Sequence, residues 1–391
     1  MAPPAAAPFA PARLGPLTLR NRFHKAATFE GMCPDGTPSE ALIELHRRVA
    51  EGGVGLTTVA YCSVSPDGRT YEHQMWIREA ILPALRRLTD AVHREGAAAA
   101  LQIGHSGLFA SRSVAGSRPL APSRVFNTYG LSFSRPMGAE DLEWMVAQFE
   151  QAAALAGEAG FDAVELHLGH GYLLSQFLSP ATNRRRDELG GSLENRLRFP
   201  LQVTRRVRAA LGPSLALVAK INLTDGFPGG LDVGDAVEVA RRLEAEGVDA
   251  VVPSGGSVSK TPLYMLRGEV PLRDMVRVQG SALRKVGLSL FGRLFVQRYP
   301  FEETFFFDDA RRVVDAVGIP VVLIGGVRSL ADVERALGAG FGFVALGRPL
   351  IHDPDFVRKL ETGTVTASGC VPCNRCIAEM DAGGVRCVMR T

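Results

Sequence analysis

The sequence predicts an α/β protein, a (β/α)8 TIM barrel with long loops after strands four and six and a Cys-rich C-terminal tail. Three observations predict it. Eight short apolar runs of strand type alternate with amphipathic helical stretches along the chain. The runs are almost continuously apolar, as parallel strands buried on both faces must be. Helical stretches close on Gly before the next run, as in AEGVDAVV and GAGFGFVAL. Eight βα units favour a closed barrel over an open doubly wound sheet.

The eight runs cover residues 23–29, 55–64, 97–104, 163–168, 215–223, 250–254, 320–325 and 343–347. Helical stretches are read at residues 39–51, 79–95, 140–159, 194–211, 233–246, 308–317 and 330–337. Two connections, residues 168–193 and 255–303, are too long for plain turns. Both follow strand ends on the face where barrels keep their chemistry, and loops of this length are usually functional. The second contains two helical-looking pieces, PLYMLRG and ALRKVGLSLFGRLFV, the latter read as a packed subdomain helix. The expected organisation is a barrel over residues 1–361, with an insertion at about 256–305, and a tail over 362–391.

Composition narrows the function. The chain has 391 residues, 46% hydrophobic and 22% charged, which allows a large core and excludes disorder. A net charge of +3 lacks the strong basic excess of a nucleic-acid binder. No apolar run reaches the roughly 18 residues of a membrane span. The opening MAPPAAAPFAPARLG reads as an extended Pro/Ala arm rather than a signal peptide, so the expected location is cytoplasmic.

Candidate chemistry gathers at strand ends. The last two strands end in Gly325-Gly326 and Gly347-Arg348. In barrels these loops often bind phosphate, with Gly admitting backbone N–H groups to the anion and Arg adding charge. Strand four ends ELHLGHGY, which sets His167, His170 and Tyr172 together. Such a trio can hold an oxyanion and deliver a proton. Zinc ligation competes but has no clear third ligand nearby, and ordinary buried histidines are the plain alternative. Gln102 ends strand three, with His105 beyond it, and Lys220 and Asn222 lie on strand five. A lysine in so apolar a strand needs an anionic partner if it points inward. Ala26, Ala27 and Thr28 are small enough to admit a flat ligand close to the backbone.

Four stretches together carry a family resemblance: LRNRFHKAAT, SVSPDGR, LQIGHSG and HLGHGYLLSQFLSPATNRRRDELGGSLENRLRF. Over about residues 17–360 the chain resembles the Old Yellow Enzyme family of FMN-dependent ene reductases, in its 2,4-dienoyl-CoA reductase-like branch. The resemblance implies FMN across the barrel mouth and NAD(P)H as reductant. It implies that Ala26, Ala27 and Thr28 line the isoalloxazine and that Tyr61 faces it through its backbone. Gln102 would bond the pyrimidine edge, and Lys220 would stand near N1 and O2. Gly326, Gly347 and Arg348, with Gly325 beside them, would hold the phosphate. Hydride from the reduced flavin N5 would reach the β-carbon of an α,β-unsaturated carbonyl compound. His167 and His170 would grip the carbonyl and Tyr172 would protonate the α-carbon; a tyrosine of pKa about 10 is a usable acid at pH 7.

The chain departs from the family pattern in three places. Lys220 stands where Arg is commoner, which loses bidentate geometry. Thr28 and Phe29 stand near a redox-tuning position. The loop after strand six is longer than in compact members. Oxidative demethylation of amines and non-catalytic flavin binding remain competing readings.

Four of the six cysteines fall in the last 22 residues. Cys370, Cys373, Cys376 and Cys387 read C-x2-C-x2-C-x10-C, a set that could hold a [4Fe–4S] cluster, a zinc ion or nothing. Relatives of the reductase branch carry a cluster on a similar tail and continue into a second flavin and nucleotide domain. A cluster on this chain, which stops at Thr391, would need an external electron-transfer partner. A homo-oligomer is compatible with the sequence.

Overall fold

The computed structural model describes residues 7–110, 112–127, 132–280 and 282–390. The first six residues of the expected N-terminal arm lie outside the described residues.

Eight parallel strands form the barrel: β1 (Phe23–Lys25), β2 (Leu56–Ser63), β3 (Ala98–Gly104), β4 (Ala163–Leu168), β5 (Ala216–Asn222), β6 (Ala250–Ser254), β7 (Val322–Ile324) and β8 (Phe343–Leu346). Pairing runs β6-β5-β4-β3-β2-β1-β8-β7, and a parallel bridge from Val251 to Val321 closes the ring. Each strand is followed by a helix: α1 (Glu40–Glu51), α2 (Leu82–Arg94), α3 (Ala139–Glu158), α4 (Leu193–Leu211), α5 (Val233–Ala245), α6 (Phe307–Val314), α7 (Leu330–Gly338) and α8 (Phe356–Glu361). This is the (β/α)8 architecture expected of the sequence.

Local chemistry sets the helix starts. The side chains of Ser39, Ser192 and Asp232 accept from the backbone N–H groups of Leu42, Asn195 and Asp235. Ser329 and Asp332 form a reciprocal capping box at α7. The stretch expected to be helical from residue 79 begins as a 3-10 turn (Glu79–Ile81) and turns α-helical at Leu82, because Pro83 suits only a first turn.

Several expectations are corrected. β1 is three residues long instead of seven: the Ala26 N–H still donates to the Leu346 carbonyl at 2.9 Å, but Ala27, Thr28 and Phe29 lie beyond the ladder. Part of the presumed arm is a strand: Ala12–Leu14 pairs antiparallel with Leu17–Leu19. Leu14 and Leu19 of this hairpin join Leu56, Ala100, Ala163, Ala216 and Phe343 in filling the barrel floor. PLYMLRG forms turns rather than a helix, between Pro262 and a left-handed Arg267 at φ 47°. ALRKVGLSLFGRLFV is a helix, Ala282–Phe295, but Val286, Leu290 and Phe291 on it are exposed instead of packed.

The insertion after β6 and the tail meet above the barrel mouth. Arg375 pairs with Asp274 at 2.9 Å, and Glu379 pairs with Arg277. Asn374 Nδ2 donates to the carbonyls of Arg267 and Glu269 at 3.0 and 2.9 Å. No helix among the described residues is long and apolar enough to cross a membrane.

Candidate active site

Strand alternation builds the floor of the mouth. Side chains two apart on a strand point the same way, so Glu165 and His167 on β4 face inward together, as do Lys220 and Asn222 on β5. Register then makes neighbours of Glu165 and Gln102, and of His167 and Lys220. Above this layer lies a cavity of about 420 Å³. It is lined by Ala26, Ala27, Thr28, Tyr61, Gln102, His167, His170, Tyr172, Lys220, Gly325, Gly326, Gly347 and Arg348. Residues separated by more than 300 positions in the sequence therefore share one chamber. Leu263, Leu266, Met275 and Phe305 of the insertion give it an apolar ceiling.

Lys220 has the anionic partner its burial demands. Its Nζ lies 2.8 Å from Oε1 of Glu165, and the same oxygen accepts from Gln102 Nε2 at 2.6 Å. Glu165 was not among the residues singled out from the sequence. The carboxylate fixes the Gln102 amide, leaving its carbonyl free to accept and Lys220 free to donate further bonds.

His167 and His170 cross nearly at right angles, with ring centroids 5.1 Å apart. The Gly169 N–H donates to His167 Nδ1 at 3.3 Å, so a neutral His167 carries its proton on Nε2. His170 sits at φ 58°, an uncommon conformation for a side chain with Cβ. Its backbone N–H donates to Asn222 Oδ1 at 2.8 Å, and its Nε2 lies 2.8 Å from Ser254 Oγ. The role of Ser254 was not legible in the sequence. Tyr172 lies against His167 at 4.2 Å between centroids, and Tyr61 and Phe109 meet its ring edge-on at 4.8 and 4.9 Å. The Tyr61 hydroxyl donates to the Gly68 carbonyl at 2.8 Å, so its polar end is already engaged.

Burial keeps both histidines neutral. It lowers His170 to about 3 and His167 well below its ordinary value, with the Lys220 charge adding to both and His170 adding to His167. Burial also lowers His24 to about 3. The unfolded chain takes up these protons near pH 6.5, whereas folded His24 and His170 take them up only near pH 3 and His167 likewise well below its ordinary range, so protonation favours unfolding. Stability should be full above pH about 6.5 and fall as pH drops toward 3, seen as a falling Tm across that window.

The far end of the cavity is basic. Gly325 and Gly326 have φ of 94° and 81°. A Cβ on Gly326 would fall 2.6 Å from the Thr304 nitrogen and 2.7 Å from the Glu302 oxygen, so glycine is required there by the returning insertion. Arg348 lines the chamber, but its Nη1 donates to Asn374 Oδ1 at 2.5 Å and to the Arg267 carbonyl at 3.0 Å, and its Nη2 to the Leu266 carbonyl. Much of its donor capacity therefore braces the insertion and the tail. Arg328, three residues after Gly325 and missed in the sequence, also lines the cavity. Its buried Nε has no hydrogen-bond partner among the described residues, and the Glu303 carboxylate stands 3.8 Å away.

This donor set fits FMN. A flavin's pyrimidine edge offers an N–H flanked by carbonyls, matching an acceptor from Gln102 and a donor from Lys220. Its phosphate matches the Arg328 guanidinium, whose Nε has no hydrogen-bond partner among the described residues, and the glycine-rich strand ends.

The cysteine tail lies beside the chamber. Cys370 and Cys376 line the main cavity, and all four tail cysteines line a small adjacent hollow with His352. Their thiols are free, and His352 Nδ1 lies 3.4 Å from Cys387 Sγ. Burial pushes the Cys376 thiol up to about 12 despite nearby Arg348. Among the described residues no three His, Cys, Asp or Glu side chains converge to hold a metal.

Comparison with known proteins agrees with the geometry. Residues 8–259 match the model of the NADH:flavin oxidoreductase / NADH oxidase family. The chain is 46% identical to a 4,4'-dithiodibutanoate disulfide reductase of Rhodococcus erythropolis, across 98% of this chain and 94% of that protein. It is 30% identical to an NADH oxidase of Thermoanaerobacter brockii, over 94% of this chain but only 52% of that relative, whose length it spans about half. An Old Yellow Enzyme homologue from Zymomonas mobilis has the same fold, with a TM-score of 0.73 at 23% identity, covering 94% of this chain and 96% of that one. The chain belongs to the NADH:flavin oxidoreductase / NADH oxidase family, the FMN-dependent, NAD(P)H-linked enzymes that include Old Yellow Enzyme.

Proposed function

We propose that this protein reduces the activated C=C bond of α,β-unsaturated carbonyl compounds, enones or enoyl thioesters. The observation that carries the reading is the neutral pair His167 and His170 beside Tyr172 in an apolar chamber. When bound, FMN supplies the hydride relay between NAD(P)H and the substrate β-carbon. Ala26, Ala27 and Thr28 would wall its ring system, Gln102 and Lys220 would hold its pyrimidine edge, and Gly326, Gly347, Arg328 and Arg348 would surround its phosphate. Gly325 shapes the same turn.

His167 Nε2–H points a neutral donor at the substrate carbonyl oxygen, where charge grows as the β-carbon is attacked. His170, held by Asn222 and Ser254, supplies the second polar contact. Tyr172 gives its phenolic proton to the α-carbon. The apolar ceiling excludes water from the reacting atoms.

One observation favours a second reading: the 46% identity to a disulfide reductase over nearly the whole length of both chains. A small disulfide would take hydride at one sulfur, the S–S bond would break, and the leaving thiolate would take a proton from Tyr172. The two readings separate on products. Under the first, FMN-loaded protein with NAD(P)H converts 2-cyclohexenone to cyclohexanone. Consumption of 4,4'-dithiodibutanoate with no saturation of cyclohexenone or any enoyl thioester would overturn the first and support the second.

A further inference from the structure

Glu165 is a buried carboxylate that neither the hydride relay nor the carbonyl grip uses. It is 5% exposed, and its Oε1 takes both the Lys220 ammonium at 2.8 Å and the Gln102 amide at 2.6 Å. Lys220 itself is 1% exposed and Gln102 4%. The three side chains stand on adjacent strands, β5, β4 and β3, in a register that holds Glu165 level with Gln102 and one inward step below Lys220. A carboxylate so placed does two things to the cavity floor. It captures the N–H side of Gln102, which turns the Gln102 carbonyl toward a ligand. It also places a full negative charge against the one lysine that faces the floor, in a low-dielectric setting where charges act strongly.

We propose that Glu165 is a positioning residue that sets the electron affinity of the bound flavin. It rests on the FMN reading above. Unopposed, Lys220 would favour the reduced, negatively charged flavin. Glu165 offsets that charge and holds the flavin at a lower potential, so that it remains a strong enough hydride donor for an unsaturated carbonyl. By fixing the Gln102 amide, it also keeps the floor in the acceptor–donor pattern that a flavin edge needs.

The test is the ratio of reduced to oxidised flavin in the FMN-loaded protein, read at equilibrium with a redox dye of known potential. Turnover is not involved. Glu165→Gln should raise the ratio at a fixed dye potential by roughly tenfold or more, as expected for loss of one charge in a poorly screened site. Glu165→Gln combined with Lys220→Met should bring it back to the wild-type value or below, because the cation has gone as well. Glu165→Asp, which draws the carboxylate back by one methylene, should give a smaller rise.

An unchanged ratio in Glu165→Gln overturns the proposal, and so does a ratio that stays raised in the double variant. Failure of both Glu165→Gln and Glu165→Asp to fold also overturns it, since the pair would then be purely structural. A wild-type protein that binds no FMN at all would sink the FMN reading itself. Wild-type binding with an unchanged ratio in Glu165→Gln would sink this inference alone.

Discussion

Tyr172→Phe is expected to lower kcat for enone reduction by roughly 10²–10⁴-fold, while NAD(P)H reduces the loaded protein at the wild-type rate. The Tyr172 ring packs on His167 and meets Tyr61 and Phe109 edge-on, contacts that a phenylalanine keeps. The substitution removes the phenolic hydroxyl and its proton. The damage should therefore fall on the half-reaction in which the α-carbon is protonated. Separate rapid-mixing measurements of the two half-reactions check this. An equal fall in both would mean that Tyr172 shapes the chamber rather than acting as an acid.

Lys220→Met should destabilise the fold by about 3–5 kcal/mol, because it leaves the buried Glu165 charge without its partner. Glu165→Gln with Lys220→Met should recover most of that loss, since removing a whole buried pair often costs little. Denaturant melts of the single and double variants provide the measurement. Equal instability in both would show that methionine packing at β5, rather than an orphaned carboxylate, is the cause.

The barrel was legible because its signals are local. Apolar runs such as ALVAKIN and AVVPS, and caps such as Ser39 and Ser329, are written in consecutive residues. Strand-end chemistry was legible for the same reason: HLGHGY carries its own geometry, since the backbone between His167 and Tyr172 must turn sharply to leave the barrel. What escaped depends on partners far away in the sequence. Glu165 lies in an apolar strand, and only the register sets it between Gln102 and Lys220. Leu14 fell within the expected extended arm because the floor residues it packs on belong to distant strands. Arg348 was read as a phosphate ligand from its neighbouring glycine. The insertion and tail claim much of its guanidinium, and Arg328, which bonds the Ser368 carbonyl and stands 3.8 Å from Glu303, adds a second guanidinium to the chamber wall. The four tail cysteines line one small hollow with His352, a grouping set by the fold of the tail rather than by their spacing alone.

The most direct measurement is made without air. FMN-loaded protein is reduced with one equivalent of NAD(P)H, then mixed with 2-cyclohexenone while the flavin absorption band is followed. Bleaching is expected on the first addition and return of the oxidised band on the second, with cyclohexanone formed one for one. A reduced flavin that no enone or enoyl thioester reoxidises would contradict the proposed C=C reduction.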